Sequence, residues 1–252
     1  MKAGKLHYGW VVICMGLLTT IAAHGFGRMS YTIILPAMKD GLSFNYTQLG
    51  LLGTGNFIGY LTMAIVGGFL AARFGTRIVI TAGLVLMGIT MILTGLAQSF
   101  EFAFTMRLLT GLGNGAAFVP AMALGSAWFA VKKRGFATGI VSAGIGAGTF
   151  ISGLTVPPIL SAFSASGWRF SWYILGGAVL LISAIVFQFV RSNPQEKGLD
   201  QVGSEKNDEA QSASTATEKG STAKWTVTVK RIIKMGSVWY LGVVYFFFGL
   251  SY

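Results

Sequence analysis

Two apolar runs, residues 48–70 and 78–96, are separated only by a turn that carries Arg73-Phe74-Gly75-Thr76-Arg77. Each run is long enough to cross a bilayer, for which a helix needs roughly 20 mostly apolar residues. Two arginines cannot follow such runs into lipid without a large cost. The turn must therefore sit on one side of a membrane, and it folds the two runs into an antiparallel helical hairpin. That hairpin sets the class of everything around it.

The pattern recurs along the chain. Apolar blocks predict spans at about residues 8–38, 46–72, 78–99, 102–129, 136–163 and 168–190. The first is interrupted by His24-Gly25-Phe26-Gly27-Arg28. With 53% hydrophobic and 11% charged residues, grouped in blocks rather than alternating, the expected fold is all-α and integral to a membrane, not a β-barrel. Lys2 and Lys5 before an apolar stretch imitate a secretory signal, but apolar character continues to Pro36, so the stretch reads as a signal-anchor span. Trp10, Trp128, Trp168 and Trp172 fall near span ends, where an interfacial belt would place them. Cys14 is the only cysteine, and no disulfide framework is expected.

Residues 1–190 thus read as a six-helix transmembrane bundle. Residues 191–236 are rich in Ser, Thr, Glu, Lys and Gln and read as a disordered cytoplasmic linker. Residues 237–252 read as the start of a seventh span. About 15 residues reach only ~22 Å, short of a ~30 Å hydrocarbon core, so a C-terminal bundle is expected to be missing.

The net charge of +11 would suit a nucleic-acid partner, but its distribution argues against one. Of 19 Lys and Arg, 15 lie in the N-terminus and in alternate connections: Lys2, Lys5, Arg73, Arg77, Lys132, Lys133, Arg134 and eight from Arg191 to Lys234. The intervening connections hold Lys39 and Arg169. This loading predicts a cytoplasmic N-terminus in a cell membrane, the inner membrane for a bacterium.

Two cations remain inside apolar runs. Arg28 precedes Pro36 by about eight residues and Arg107 follows Glu101 by six, which places both about 9–12 Å below the outer surface. No acidic residue falls within the six predicted spans to neutralise them. Two guanidiniums at one level suit a small organic anion, since Arg recognises carboxylates bidentately; snorkelling to the outer interface and hydrogen bonding to backbone carbonyls are the rival readings, and Arg107 could also brace helix packing. On helical spacing His24, Arg28 and Tyr31 share one stripe, Asn56 and Tyr60 a second, and Arg107 and Asn114 a third. Gly55-x-x-x-Gly59, Gly111-x-x-x-Gly115 and Gly144-x-x-x-Gly148 read as close-packing devices. There is no metal-ligand spacing, no paired membrane carboxylates and no Ser–His pair at shared depth, so neither an enzyme nor a cofactor or metal is expected. The six spans also divide as three plus three. Gly25-x-Gly27-Arg28 opens one triplet and Arg107-x-x-x-Gly111-x-Gly113 the other, as in two inverted three-helix repeats.

Gly68-x-Leu70-Ala71-x-Arg73-x-Gly75-x-Arg77 resembles the loop 2–3 signature of the major facilitator superfamily, G-x-L-A-D-R-x-G-R-R, with Ala72 at the Asp position. Arg107-x-x-x-Gly111-x-Gly113 resembles the family's span 4 motif. Tyr8-Gly9-Trp10, Trp128-Phe129-x-x-Lys132-Lys133-Arg134-Gly135 and Asn193-Pro194-x-Glu196-Lys197-Gly198-Leu199 resemble bacterial monocarboxylate and oxalate/formate-type carriers. Gly25-Phe26-Gly27-Arg28-x-x-Tyr31 with Asn56-x-x-Gly59-Tyr60 is similar to the YbfB/YjiJ-like branch.

The resemblance implies the N-terminal bundle of a twelve-span secondary transporter, whose spans 1, 2, 4 and 5 line a central cavity. It also implies gating at Gly68, Arg73, Gly75 and Arg77, and a latch weakened by the lost Asp. The expected substrate is a small, monocarboxylate-like organic anion, bound chiefly by Arg28. His24, Tyr31, Asn56, Tyr60, Arg107 and Asn114 are the supporting candidates. The expected partners are the substrate, the bilayer and the missing C-terminal half. A self-associating half-transporter and a non-transporting receptor or scaffold are the alternatives.

Overall fold

A computed structural model describes residues 7–163 and 166–204. Among them are six helical spans of membrane length and apolar character, in the predicted order. Span 1 covers Tyr8–Leu42 and has three parts: α1 (Tyr8–Thr20), a π-helical segment (Ile21–Met29) and α2 (Ser30–Leu42). The remaining spans are α3 (Tyr46–Phe74), α4 (Thr76–Gly95), α5 (Phe100–Trp128), α6 (Val131–Ala162) and α7 (Gly167–Phe189). The glycine-rich interruption foreseen in span 1 is not a break. The helix continues through it with wider turns.

Span ends are settled by local chemistry. Asn45 caps α3 in a reciprocal box, accepting from the Gln48 amide at 2.8 Å while the Gln48 side chain accepts from the Asn45 amide at 3.0 Å. Gly75 separates α3 from α4 at φ +88°, a conformation that favours glycine, and so makes the basic turn possible. At the far end of α7 the carbonyls of Phe187 and Phe189 accept from Arg77 Nε at 2.7 Å and from the Tyr8 hydroxyl at 2.8 Å. These are orphan acceptors of a helix terminus, and the loop 2–3 arginine satisfies one of them. The Gly95 carbonyl at the end of α4 accepts from Arg169 Nη1 at 2.7 Å and from the Tyr173 hydroxyl at 3.1 Å.

Among the main helix contacts, span 2 lies along span 4, span 5 along span 1 and span 3 along span 6; span 3 also packs along span 4. Exchanging the two triplets turns the first pair into the second and the third into itself, as inverted repeats require. The first two pairs close through glycine. A Cβ at Gly59 would strike the Leu108 carbonyl, and one at Gly111 the Asn56 carbonyl. Across spans 1 and 5, a Cβ at Gly25 would strike the Gly148 backbone. In lipid, where apolar surface gains nothing by leaving the solvent, such close backbone approach supplies the association energy through packing.

Two expectations need correction. Trp128, Trp168 and Trp172 do not form an interfacial belt; all three are buried. Trp128 Nε1 donates to the Arg191 carbonyl at 3.0 Å, so proximity to a span end meant packing against the next connection. The start of the expected linker is also packed. Val202 is buried, its amide donates to Trp128 O at 2.9 Å, and its carbonyl accepts from the Ala130 amide at 3.2 Å. The Gln201 side chain donates to the Ala127 carbonyl at 3.1 Å. Polar composition hid this, because the attachment uses backbone groups and one valine. The rest of the expected linker and the expected seventh span lie outside the described residues.

Replacing Gly111 by Val should disrupt the span 2–span 4 pair. Overpacking costs about 1–3 kcal/mol, and more where the obstacle is backbone, so a thermal melt in detergent should show a drop of several degrees. Gly139→Ala, where a Cβ meets open space, should leave the melt unchanged.

Candidate functional site

The seven candidate residues separate into two groups around the π segment. The reason is periodicity. Residues 21–29 follow the wider π turn rather than 3.6 residues per turn, so a stripe extrapolated from His24 through Arg28 to Tyr31 does not stay on one face. Arg28 lies against span 2 and His24 between spans 2 and 4, whereas the Tyr31 ring lies against Arg107 with its hydroxyl bonded to span 2.

The first group is His24, Arg28 and Tyr60, joined by two residues that the spacing did not single out, Phe57 and Phe118. The half-buried Arg28 guanidinium lies 4.9 Å from the Phe57 ring centroid and 5.6 Å from that of Tyr60. Aromatic faces attract a guanidinium without neutralising it. The His24 ring sits edge-on to Tyr60 at 5.7 Å and 4.0 Å from the Phe118 ring, and its Nδ1 has no hydrogen-bond partner. The only ion pair among the described residues is Lys39–Asp40, at 3.9 Å near the C-terminal end of α2. Arg28 therefore keeps an unneutralised charge. The arrangement can hold a small anion against Arg28, with the buried, unpartnered His24 Nδ1 close by.

The second group is Arg107, Tyr31, Asn56 and Asn114, which knit helices together. Arg107 is 1% exposed, so the level it shares with Arg28 does not give it access. Its Nη1 donates to the Gly27 carbonyl at 3.2 Å, and its guanidinium lies 4.5 Å from the Tyr31 ring and 5.1 Å from the Trp172 ring. The Tyr31 hydroxyl donates to Leu49 O at 2.7 Å, closing span 1 against span 2. Asn56 Nδ2 donates to the Arg107 carbonyl at 3.0 Å, and Asn114 Nδ2 donates to Ala23 O at 2.8 Å. One further member was missed. Ser152 Oγ donates to the Gly25 carbonyl at 3.3 Å. Its signal was present, since Gly144, Gly148 and Ser152 continue one small-residue row at intervals of four.

At the basic turn, Arg77 is engaged with the end of α7, its guanidinium 4.3 Å from the Phe187 ring. Arg73 is exposed beside Phe74, and a Cβ at Gly68 would meet nothing. An apolar cavity of about 230 Å³, lined by Met63, Leu70, Phe74, Ile78 and Leu86 among others, lies between spans 2, 3 and 4 and includes none of the seven candidates. No group of three or more metal-ligating side chains occurs among the described residues.

The family model described as Major Facilitator Superfamily matches residues 17–252. The chain belongs to the major facilitator superfamily. Among proteins with similar sequences, the probable sulfoacetate transporter SauU of Cupriavidus necator is 28% identical over 84% of this chain and 50% of its own length. The hexuronate transporter of Bacillus subtilis is 28% identical over 67% of this chain and 39% of its own. The chain thus spans half or less of the length of these relatives. In fold it is similar to the inward-facing, unoccupied crystal structure of a bacterial homologue of the human lysosomal transporter Spinster. That match has a TM-score of 0.63 at 23% identity and covers 82% of this chain and 48% of the other. Six spans in the order of a major facilitator bundle, and no strand of a sheet among the described residues, agree with this membership.

Arg107→Lys should be damaging despite the kept charge. An ammonium cannot reproduce a planar fork set between two rings and a carbonyl. A hydrogen bond from a charged group is worth ~1.5–3 kcal/mol, so the melting temperature of the purified protein should fall by several degrees.

Proposed function

We propose that this chain forms the N-terminal bundle of a secondary active transporter that moves a small organic anion by alternating access, with its N-terminus cytoplasmic in the cell membrane. The observation that carries the reading is the Arg28 guanidinium: half-buried, placed on aromatic faces, and without a carboxylate partner among the described residues. A cation at membrane depth is costly unless it serves a ligand or a wet cavity, and an anionic solute meets that need. The names of the relatives point the same way. Sulfoacetate and hexuronate are both organic anions, and they suit a site whose main polar contact is a guanidinium.

In this reading Arg28 is the principal anion ligand, and His24 and Tyr60 contact the same solute. Arg107, Tyr31, Asn56 and Asn114 hold the helices that present them. The second bundle supplies the opposite wall of the cavity. The loop 2–3 turn then works at the cytoplasmic gate: Arg77 binds it to span 6, and the exposed Arg73 faces the second bundle. With Ala72 in place of an acidic residue, this gate lacks the carboxylate half of a charge latch.

The test is the thermal stability of the complete carrier against small carboxylates and sulfonates, with cations and sugars as controls. A ligand at 100 times its Kd should stabilise by about 2.7 kcal/mol if it binds only the folded state. One class of anion should give that shift, and Arg28→Gln should abolish it. Stabilisation by cations or sugars alone, or an anion shift that survives Arg28→Gln, would overturn the proposal.

A further inference from the structure

The π segment of span 1 is held from outside. Its carbonyls at Ala23 and Gly27, four residues apart, accept from Asn114 and Arg107 on span 4, at 2.8 and 3.2 Å. Between them the Gly25 carbonyl faces the other way and accepts from Ser152 on span 5 at 3.3 Å. The Ser30 amide, at the end of the segment, also donates to the Gly25 carbonyl, and the Ser30 hydroxyl donates to Phe26 O. Two neighbouring helices thus supply three side-chain donors to alternate carbonyls of one stretch.

The alternative for this stretch is a regular α-helix, and the difference matters downstream. A π turn holds about one residue more than an α turn, so each π turn that closes to the regular ladder turns what lies beyond it by up to about 100°, one residue's step. Arg28 sits just past the three anchored carbonyls. Its placement against Phe57 and Tyr60 therefore depends on the π register. Glycine lets neighbouring helices close in on the segment: a Cβ at Gly25 would strike the Gly148 backbone of span 5, and one at Gly27 the Met87 sulfur of span 3 at 2.6 Å. Short π segments recur at functional sites for this reason, since they re-aim a side chain without breaking the helix.

We propose that Arg107, Asn114 and Ser152 are positioning residues that lock span 1 in the π register and so aim Arg28 at the anion site. This rests on the reading of Arg28 as the anion ligand, but its test does not need a substrate. In the complete carrier with Cys14 and any other cysteine replaced, Arg28→Cys places a thiol at the aimed position. Its labelling rate by a water-soluble methanethiosulfonate is then measured alone and together with Ser152→Val, Ser152→Thr or Asn114→Leu. Val and Thr have nearly the same size, so their difference reports the hydroxyl.

Ser152→Val and Asn114→Leu should each change the labelling rate by roughly tenfold, while Ser152→Thr stays within about twofold of the parent. In the carrier that keeps Arg28, the same two variants should raise the KM for the transported anion roughly fivefold, about the effect of one lost hydrogen bond, with Ser152→Thr restoring it. A purely structural role predicts lower melting temperatures with unchanged labelling and KM, and that result would overturn the proposal, as would equal labelling in the Val and Thr variants. If Ser152→Val does not yield folded carrier, Ser152→Ala takes its place with the same expectation. Failure of the anion reading shows separately, as transport that survives Arg28→Gln.

Discussion

In a bilayer a backbone carbonyl released from its own helix has no water to turn to, so it must be met by a donor from the protein. In the first span the same rule governs polar side chains. The carbonyls of Ala23, Gly25 and Gly27 in its π segment take an amide, a hydroxyl and a guanidinium from spans 4 and 5, while Gly25 O also accepts from the Ser30 amide of its own helix. These bonds tie together three of the four spans that line the cavity in the family's architecture. The fourth, span 2, joins through Asn56, which donates to the backbone of Arg107, and through Leu49, whose carbonyl takes the Tyr31 hydroxyl. These bonds thus lie along one connected path around span 1.

Close approach makes that path possible. Side chains as short as Ser and Asn can reach a neighbouring backbone only where helices nearly touch, and they touch at glycine. Gly111 and Gly115 of span 4 meet Asn56 and Tyr60 of span 2, while Gly144 and Gly148 of span 5 meet Thr20 and Ile21 of span 1. The Thr20 hydroxyl then donates to Val141 O at 2.5 Å across the second contact. Packing and polar bonding are therefore one arrangement here, repeated with the inverted symmetry of the two triplets.

How much of this could be read in the sequence depended on the kind of signal. Span number and order follow from apolar length, a property summed over some 20 residues and robust to local detail. Glycine spacing likewise announced where helices meet. What the sequence concealed was direction. The stripe from His24 to Tyr31 assumed a helix of constant pitch, and the π segment divided it. The tryptophans near span ends were expected at the lipid interface and are buried, because a residue number fixes depth better than azimuth. The packed segment at residues 201–202 was hidden for another reason. Its attachments are backbone hydrogen bonds and one buried Val202, which composition does not record.

The two intramembrane arginines show why residue type and depth do not decide a role. Both stand at the same level, since Arg107 bonds the carbonyl of the residue just before Arg28. Arg107 donates to a carbonyl and lies between two aromatic faces; its Nε is without a partner, but near-complete burial leaves it no approach for a solute. Arg28 has aromatic faces only, and it remains half-exposed beside a histidine with a free ring nitrogen. Burial of one charge and presentation of the other are linked, because the bond from Arg107 to Gly27 is one of those that shape the segment carrying Arg28. A cation spent on structure is thereby part of what leaves its neighbour available for binding.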